Sequence, residues 1–192
     1  MPKVRDVVAE RPTILFVGIN PGETSGKLGH HFAGPGNPFW RLLHAAGLTP
    51  IELRPDEDQR LAEFGYALTN ICTRTTKTAA QLSRAELARG AKQLRAKVRA
   101  MQPEVVALVG VTLYPIVVPR DRGAKPTPGP GPKPELVEDA RLFVVPNPSG
   151  LNASFPTFDA KLAWFRQLAL FAGVESAPAA SLGAGKPSAI SK

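Results

Sequence analysis

Four short apolar runs, spaced by stretches suited to helices and polar loops, constrain this chain's fold more than any other feature. They are residues 13–19 (TILFVGI), 66–71 (YALTNI), 104–110 (EVVALVG) and 141–146 (RLFVVP). Runs that are apolar on both alternating sides suit strands buried on both faces, as in a parallel sheet. Between them the helix signals are local. Asn37 reads as an N-cap with Pro38 at the first helical position, opening a helix to about Ala46 that Gly47 stops. Residues 55–64 suit a short polar helix. Ser83 and Glu86 have capping-box spacing and open a helix to about Met101, ended by Pro103. Residues 157–172 form the last helix. The segment 111–118, interrupted by Pro115, fits either helix or strand. Residues 119–134 carry too many Pro and Gly to be an element, and 147–156 read as a polar loop. Strands alternating with helices predict an α/β fold, mostly parallel, with right-handed crossovers and helices on both faces. One domain over residues 1–173 is expected, followed by an Ala-, Ser-, Gly-, Pro- and Lys-rich tail over 174–192 of disordered composition.

Length and charge narrow the class. A chain of 192 residues, 43% of them hydrophobic, is long enough for one medium domain with its own core. No stretch approaches the ~18 consecutive apolar residues of a membrane helix. Residues 1–11 are charged throughout and lack the apolar core of a secretory signal. Cys72 is the single cysteine, which excludes an internal disulfide and any four-cysteine zinc or iron–sulfur site. A soluble protein of a reducing compartment, a bacterial-type cytoplasm, is the expectation. The excess of 24 Lys and Arg over 16 Asp and Glu, a net +8 with a pI near 10.0, favours a polyanionic partner. An Arg-preferring genome or a basic solubilising tail would produce the same total.

In parallel α/β sheets the ligand site lies beyond the carboxyl ends of the strands. Two loops there stand out, GINPGETSGKLGHHFAGPGN (residues 18–37) and VPNPSGLNAS (145–154). Each sets an Asn-Pro pair just past an apolar strand, which holds the Asn backbone extended or in a turn. Adjacent glycines let the main chain approach a ligand. The same spacing also fits two tight turns in which Asn caps its own backbone. No G-x-G-x-x-G or Walker pattern follows a strand, which argues against a nucleotide-binding enzyme of those types.

GINPG (18–22), HHFAGPGNPFW (30–40) and NPSGL (147–151), in that order and with YALTNICTRTT (66–76) between them, resemble the mismatch-specific uracil and thymine-DNA glycosylases of the uracil-DNA glycosylase superfamily. The resemblance runs from about Thr13 to Ala172. It implies a three-layer α/β/α sandwich of the uracil-DNA glycosylase type, with a mostly parallel central sheet. It also implies a monofunctional enzyme that flips uracil, or thymine or a modified pyrimidine, out of a mismatch with guanine and hydrolyses its glycosidic bond. The implied partner is double-stranded DNA bound by a monomer, with no cofactor and no metal. A catalytically weak protein that holds damaged or abasic DNA would use the same residues.

By this resemblance Asn20 is the catalytic residue. An amide has no proton to exchange near neutral pH, so Asn20 would hold a water against the anomeric carbon rather than act as a base. Thr76 matches a water-orienting hydroxyl. Asn70 matches a site position where some relatives carry Lys or Asp; a neutral amide there adds no charge, so slow chemistry is expected. Gly18, Ile19, Pro21 and Gly22 form the first loop, whose main-chain N–H groups partly stabilise the leaving base. Phe32 matches the aromatic residue on which the base stacks, and ordinary core packing is its plainer alternative. His31 matches a position beside the reaction, while Asn37 and Asn147 match positions that hold the nucleotide. His30 and His31, adjacent and without a nearby carboxylate in sequence, make poor metal-ligand geometry.

On the DNA side, Ser149 matches a phosphate contact, and Gly150 and Leu151 place an apolar wedge in the stack. Asn152-Ala153 replaces the Ser-Arg of the bacterial pattern, so contact with the opposite guanine is expected to be weaker. Arg120, Arg122, Lys125 and Lys133 form a basic loop expected at the groove. The helix from Ser83 carries Arg84, Arg89, Lys92, Arg95, Lys97 and Arg99 against Glu86 alone, which suits either phosphate contact or a solvated face. Trp40 and Trp164 are expected in the core.

Overall fold

Strands with no polar face cannot lie on a surface, and four strands of this chain are of that kind. The structure is a computed structural model and describes residues 3–118, 128–149 and 154–174. β1 (Ile14–Gly18) and β3 (Val105–Val109) are buried at every position, while β2 (Tyr66–Asn70) and β5 (Ala140–Val145) each show a single residue to solvent. The sheet has five strands in the order β2-β1-β3-β5-β4, the first four parallel. β4 (Gly131–Val137) runs antiparallel to β5 at the edge.

Alternate residues of each strand feed two cores. Ile14 and Phe16 pack with α2 (Phe39–Ala45) and α5 (Phe158–Phe171) on one face. Leu15 and Val17 pack with α3 (Arg84–Met101) and α4 (Tyr114–Val117) on the other. This is the α/β/α sandwich expected from the sequence. Phe39 centres the first core, edge-on to Phe16, Trp40 and Phe165 at 5.7, 5.1 and 6.3 Å. Trp40 is buried, and Trp164 packs partly buried against the same cluster. Among the described residues no helix is long and apolar enough to cross a membrane.

Several local expectations are corrected. The stretch read as pure loop after β1 contains α1 (Glu23–Leu28), held by a bond from Ala33 N–H to the buried Ser25 hydroxyl at 3.0 Å. Asn37 is not the N-cap: α2 begins one residue later with Pro38 at the cap, and Asn37 Oδ1 accepts from Phe39 N–H at 3.1 Å. Residues 55–64 are helical, but of the tighter 3₁₀ type. The ambiguous segment 111–118 is helical, a 3₁₀ turn followed by α4.

The largest miss is β4, which includes part of the segment dismissed for its prolines. At a sheet edge Pro132 and Pro134 need not donate to a second neighbour, so the strand tolerates them. Its Lys133 does not reach for a groove. It is buried, lies 5.0 Å over the Tyr114 ring and donates to the Gly129 carbonyl at 2.8 Å, and burial lowers its pKa. The basic residues of α3 are also partly committed. Arg95 and Arg99 face Glu138 at 3.4 and 3.0 Å, and Lys97 pairs with Asp6 at 2.7 Å. Arg120, Arg122, Lys125, Gly150, Leu151, Asn152 and the tail from residue 175 lie outside the described residues.

Candidate active site

Parallel strands end together, so the loops after β1, β2, β3 and β5 meet beyond the carboxyl ends of the strands. A cleft of about 720 Å³ opens there. Every described residue assigned to the site from sequence lines it: Gly18 to Gly22, then His31, Phe32 and Asn37, then Asn70, Thr76, Asn147 and Ser149.

Asn20 follows the end of β1 by two residues, and its amide is oriented by three oxygens. Nδ2 donates to the carbonyls of Arg74 and Pro21 at 2.9 and 3.1 Å and to Thr76 Oγ1 at 2.7 Å. Carbonyl oxygens can only accept, so the nitrogen must face them. Asn20 Oδ1, with no hydrogen-bond partner among the described residues, is the acceptor left to the cleft. The Thr76 hydroxyl donates its one hydrogen to the Thr78 carbonyl at 2.9 Å while accepting from Asn20. Its geometry is therefore that of a support for Asn20 rather than of a free water-orienting donor.

That support has its own anchor. The Arg74 guanidinium donates to Glu86 at 2.6 Å and to the Gln81 carbonyl at 2.7 Å. Glu86 also accepts from the Ser83 N–H at 2.8 Å, closing the capping box of α3. With Arg74 first and Ser83 next as causes, the Glu86 carboxyl is pushed down to about 2.

Asn70 stands level with Gly18 in the β1–β2 register. A Cβ on Gly18 would overlap Asn70 Oδ1 and approach the tip of the Phe32 ring. A side chain here would displace the Asn70 amide from its place over the Gly18 Cα. Phe32 itself has φ +50, a left-handed backbone unusual for an aromatic residue. One face of its ring stacks on Phe39 with centroids 3.9 Å apart, so the core fixes the ring while it still borders the cleft.

His31 is almost fully buried and held from every side. Its N–H donates to Asp58 Oδ2 at 3.0 Å, its carbonyl accepts from Trp40 Nε1 at 3.2 Å, and Nε2 meets the Arg5 carbonyl at 2.8 Å. Nδ1 lies 3.4 Å from Asn70 Nδ2. Burial lowers the His31 pKa, outweighing the raising effects of the Arg5 carbonyl, Asp58 and Asp6. His30 Nδ1 approaches Asp58 Oδ1 at 3.4 Å without hydrogen-bond geometry. On the far wall Asn147 Oδ1 accepts from Ser149 N–H at 2.9 Å, an Asx turn. The buried Lys161 of α5 donates to the Ser149 carbonyl at 3.3 Å and props that turn from behind.

Sequence reading missed Asp58, Lys161 and the Arg5 carbonyl, which touch the site only through tertiary contact. It also missed Lys77, which borders the cleft beside Thr76. Asp58 lay inside a charged run that reads as a solvated face, and its burial carried no local signal.

An amide with a free acceptor, an aromatic ring fixed from behind and a second amide at the end of the neighbouring strand suit a planar, hydrogen-bonding ligand. The family model of the uracil DNA glycosylase superfamily matches residues 5–169, which takes in all five strands and every described lining residue of the cleft except Val4. Proteins of this superfamily bind DNA and hydrolyse the N-glycosyl bond of uracil. Motif order, sheet topology and the extent of that match agree: the chain belongs to the uracil DNA glycosylase superfamily.

Proposed function

We propose that this protein removes uracil from G·U mismatches in duplex DNA by monofunctional hydrolysis, leaving an abasic site. The observation that carries the reading is the orientation of Asn20. With Nδ2 committed to Arg74, Pro21 and Thr76, Oδ1 accepts a hydrogen from a water and aims its oxygen at C1′. An amide cannot remove the proton, so bond breaking leads. The C1′–N1 bond breaks with its electron pair going to uracil, and the sugar becomes oxocarbenium-like. Water oxygen then bonds to C1′ and releases a proton to the uracil anion or to solvent. Main-chain donors around Ile19 stabilise charge that develops only as the base leaves. Phe32 holds the base by stacking, worth about 1–3 kcal/mol and indifferent to which base it is. Asn70 reads the base edge, with Oδ1 toward N3–H and an amide hydrogen toward O4. Mismatch preference follows from the lower cost of extruding an already mispaired base.

Single-turnover base release from G·U, A·U and G·T duplexes and from single-stranded uracil tests the whole reading. Release fastest from G·U with little from A·U is expected. Equal release from G·U and A·U would remove the mismatch preference. No release at all, with tight binding to an abasic site, would replace the enzyme by a damage-binding protein. Asn20→Ala is expected to slow release by roughly 10²-fold or more, with duplex affinity changed only a few-fold.

A further inference from the structure

We infer that His31 is a positioning residue: its imidazole, locked in one tautomer by the main chain of the N-terminal segment, sets which way the Asn70 amide faces. The inference rests on the base-reading role proposed above for Asn70. The Arg5 carbonyl lies 2.8 Å from Nε2 and can only accept, so Nε2 carries the hydrogen. The ring is buried, and burial disfavours its charged form, so Nδ1 is left with a bare lone pair. A lone pair can only accept, so it is the Asn70 nitrogen, 3.4 Å away, that turns toward it. Asn70 Oδ1 is thereby turned toward the cleft, over the open side of Gly18 and beside the Phe32 ring.

This orientation has a chemical consequence. An acceptor with a neighbouring amide hydrogen complements a pyrimidine that carries N3–H and a 4-keto oxygen. Cytosine presents the reverse pattern, a bare N3 and a 4-amino group, and would need the amide turned over. The turned amide would set Oδ1 against the Nδ1 lone pair, two acceptors facing each other. His31 thus acts on the base through Asn70.

Two elements hold the lock in place. Val7 pairs with Leu68 of β2 through backbone bonds of 2.8 and 3.0 Å, which fixes the segment bearing the Arg5 carbonyl. Asp6 accepts from Thr69 Oγ1 at 2.8 Å and pairs with Lys97 of α3 at 2.7 Å. Asp58 fixes the other side through the His31 N–H.

Long-range proton–nitrogen NMR of the full chain with ring-labelled histidine reads the tautomer directly, and Nε2–H at neutral pH is expected. A neutral Nδ1–H tautomer would overturn the inference, because it would turn Asn70 Oδ1 toward the ring. The functional test compares uracil and cytosine release from single-stranded oligonucleotides, which cancels the cost of breaking pairs. His31→Leu is expected to slow uracil release about tenfold and to narrow the uracil-to-cytosine ratio. His31→Gln keeps a donor and an acceptor and is expected to recover most of the ratio. A folded His31→Leu protein with an unchanged ratio would overturn the inference. A wild-type protein that releases no uracil would overturn the proposed function, and this inference with it.

Discussion

His31 keeps an imidazole where charge is costly, and the sign of its pH effect follows. Its folded pKa lies below the ordinary 6.5, chiefly because burial outweighs the raising effects of the Arg5 carbonyl and of the Asp58 and Asp6 carboxylates, while Lys97 pushes the same way as burial. The unfolded chain therefore takes up the proton first as pH falls. The neutral ring's contribution is fully present above pH 6.5 and is lost as pH drops through the lower folded value. Thermal unfolding between about pH 8 and pH 5 checks this: wild type should lose Tm across that range more steeply than His31→Gln. A His31→Gln protein with the same slope would assign the loss to other groups. At this scale Asn20 was legible because its chemistry travels with a contiguous motif. Asp58 and Lys161 were not, since a buried charge is recognised by its distant partner, and those partners are a main-chain N–H and a main-chain carbonyl.

The helix α3 supports the cleft from outside it, through Glu86 and Arg74, and it approaches β2 where Gly90 leaves room. A Cβ at position 90 would overlap the Ile71 carbonyl, which belongs to the backbone and cannot rotate away. Gly→Ala in a helix interior ordinarily gains about 1 kcal/mol, but overpacking against a fixed group costs about 1–3 kcal/mol. Gly90→Ala is therefore expected to lower Tm. It should also slow base release, because residues 71–74 lead directly to the carbonyl that orients Asn20. A variant with raised Tm and full activity would show that the helix yields freely here. Elements such as α3 were readable because cap, length and stop agree locally. α1 and β4 were not: one is six residues long with Gly26 in its interior and the other holds two prolines, and each is stabilised by what it packs against rather than by its own propensity.

Across the whole molecule the two rims of the sheet are treated differently from its ends. The ends of the parallel strands are left open and form the cleft, while the rims are closed. On the β2 side the chain's own N-terminal segment pairs with Leu68. On the β4 side Pro132 and Pro134 have no N–H to offer. An exposed strand with a full row of donors and acceptors recruits strands from other copies. Replacing both prolines together, Pro132→Val with Pro134→Val, is expected to raise light scattering on gentle heating while base release by the soluble fraction is kept. Unchanged scattering would show that charge alone keeps copies apart. The prolines that hid β4 from a reading of the sequence thus carry a second meaning: an edge without those two N–H groups offers a strand of another copy fewer donors to pair with.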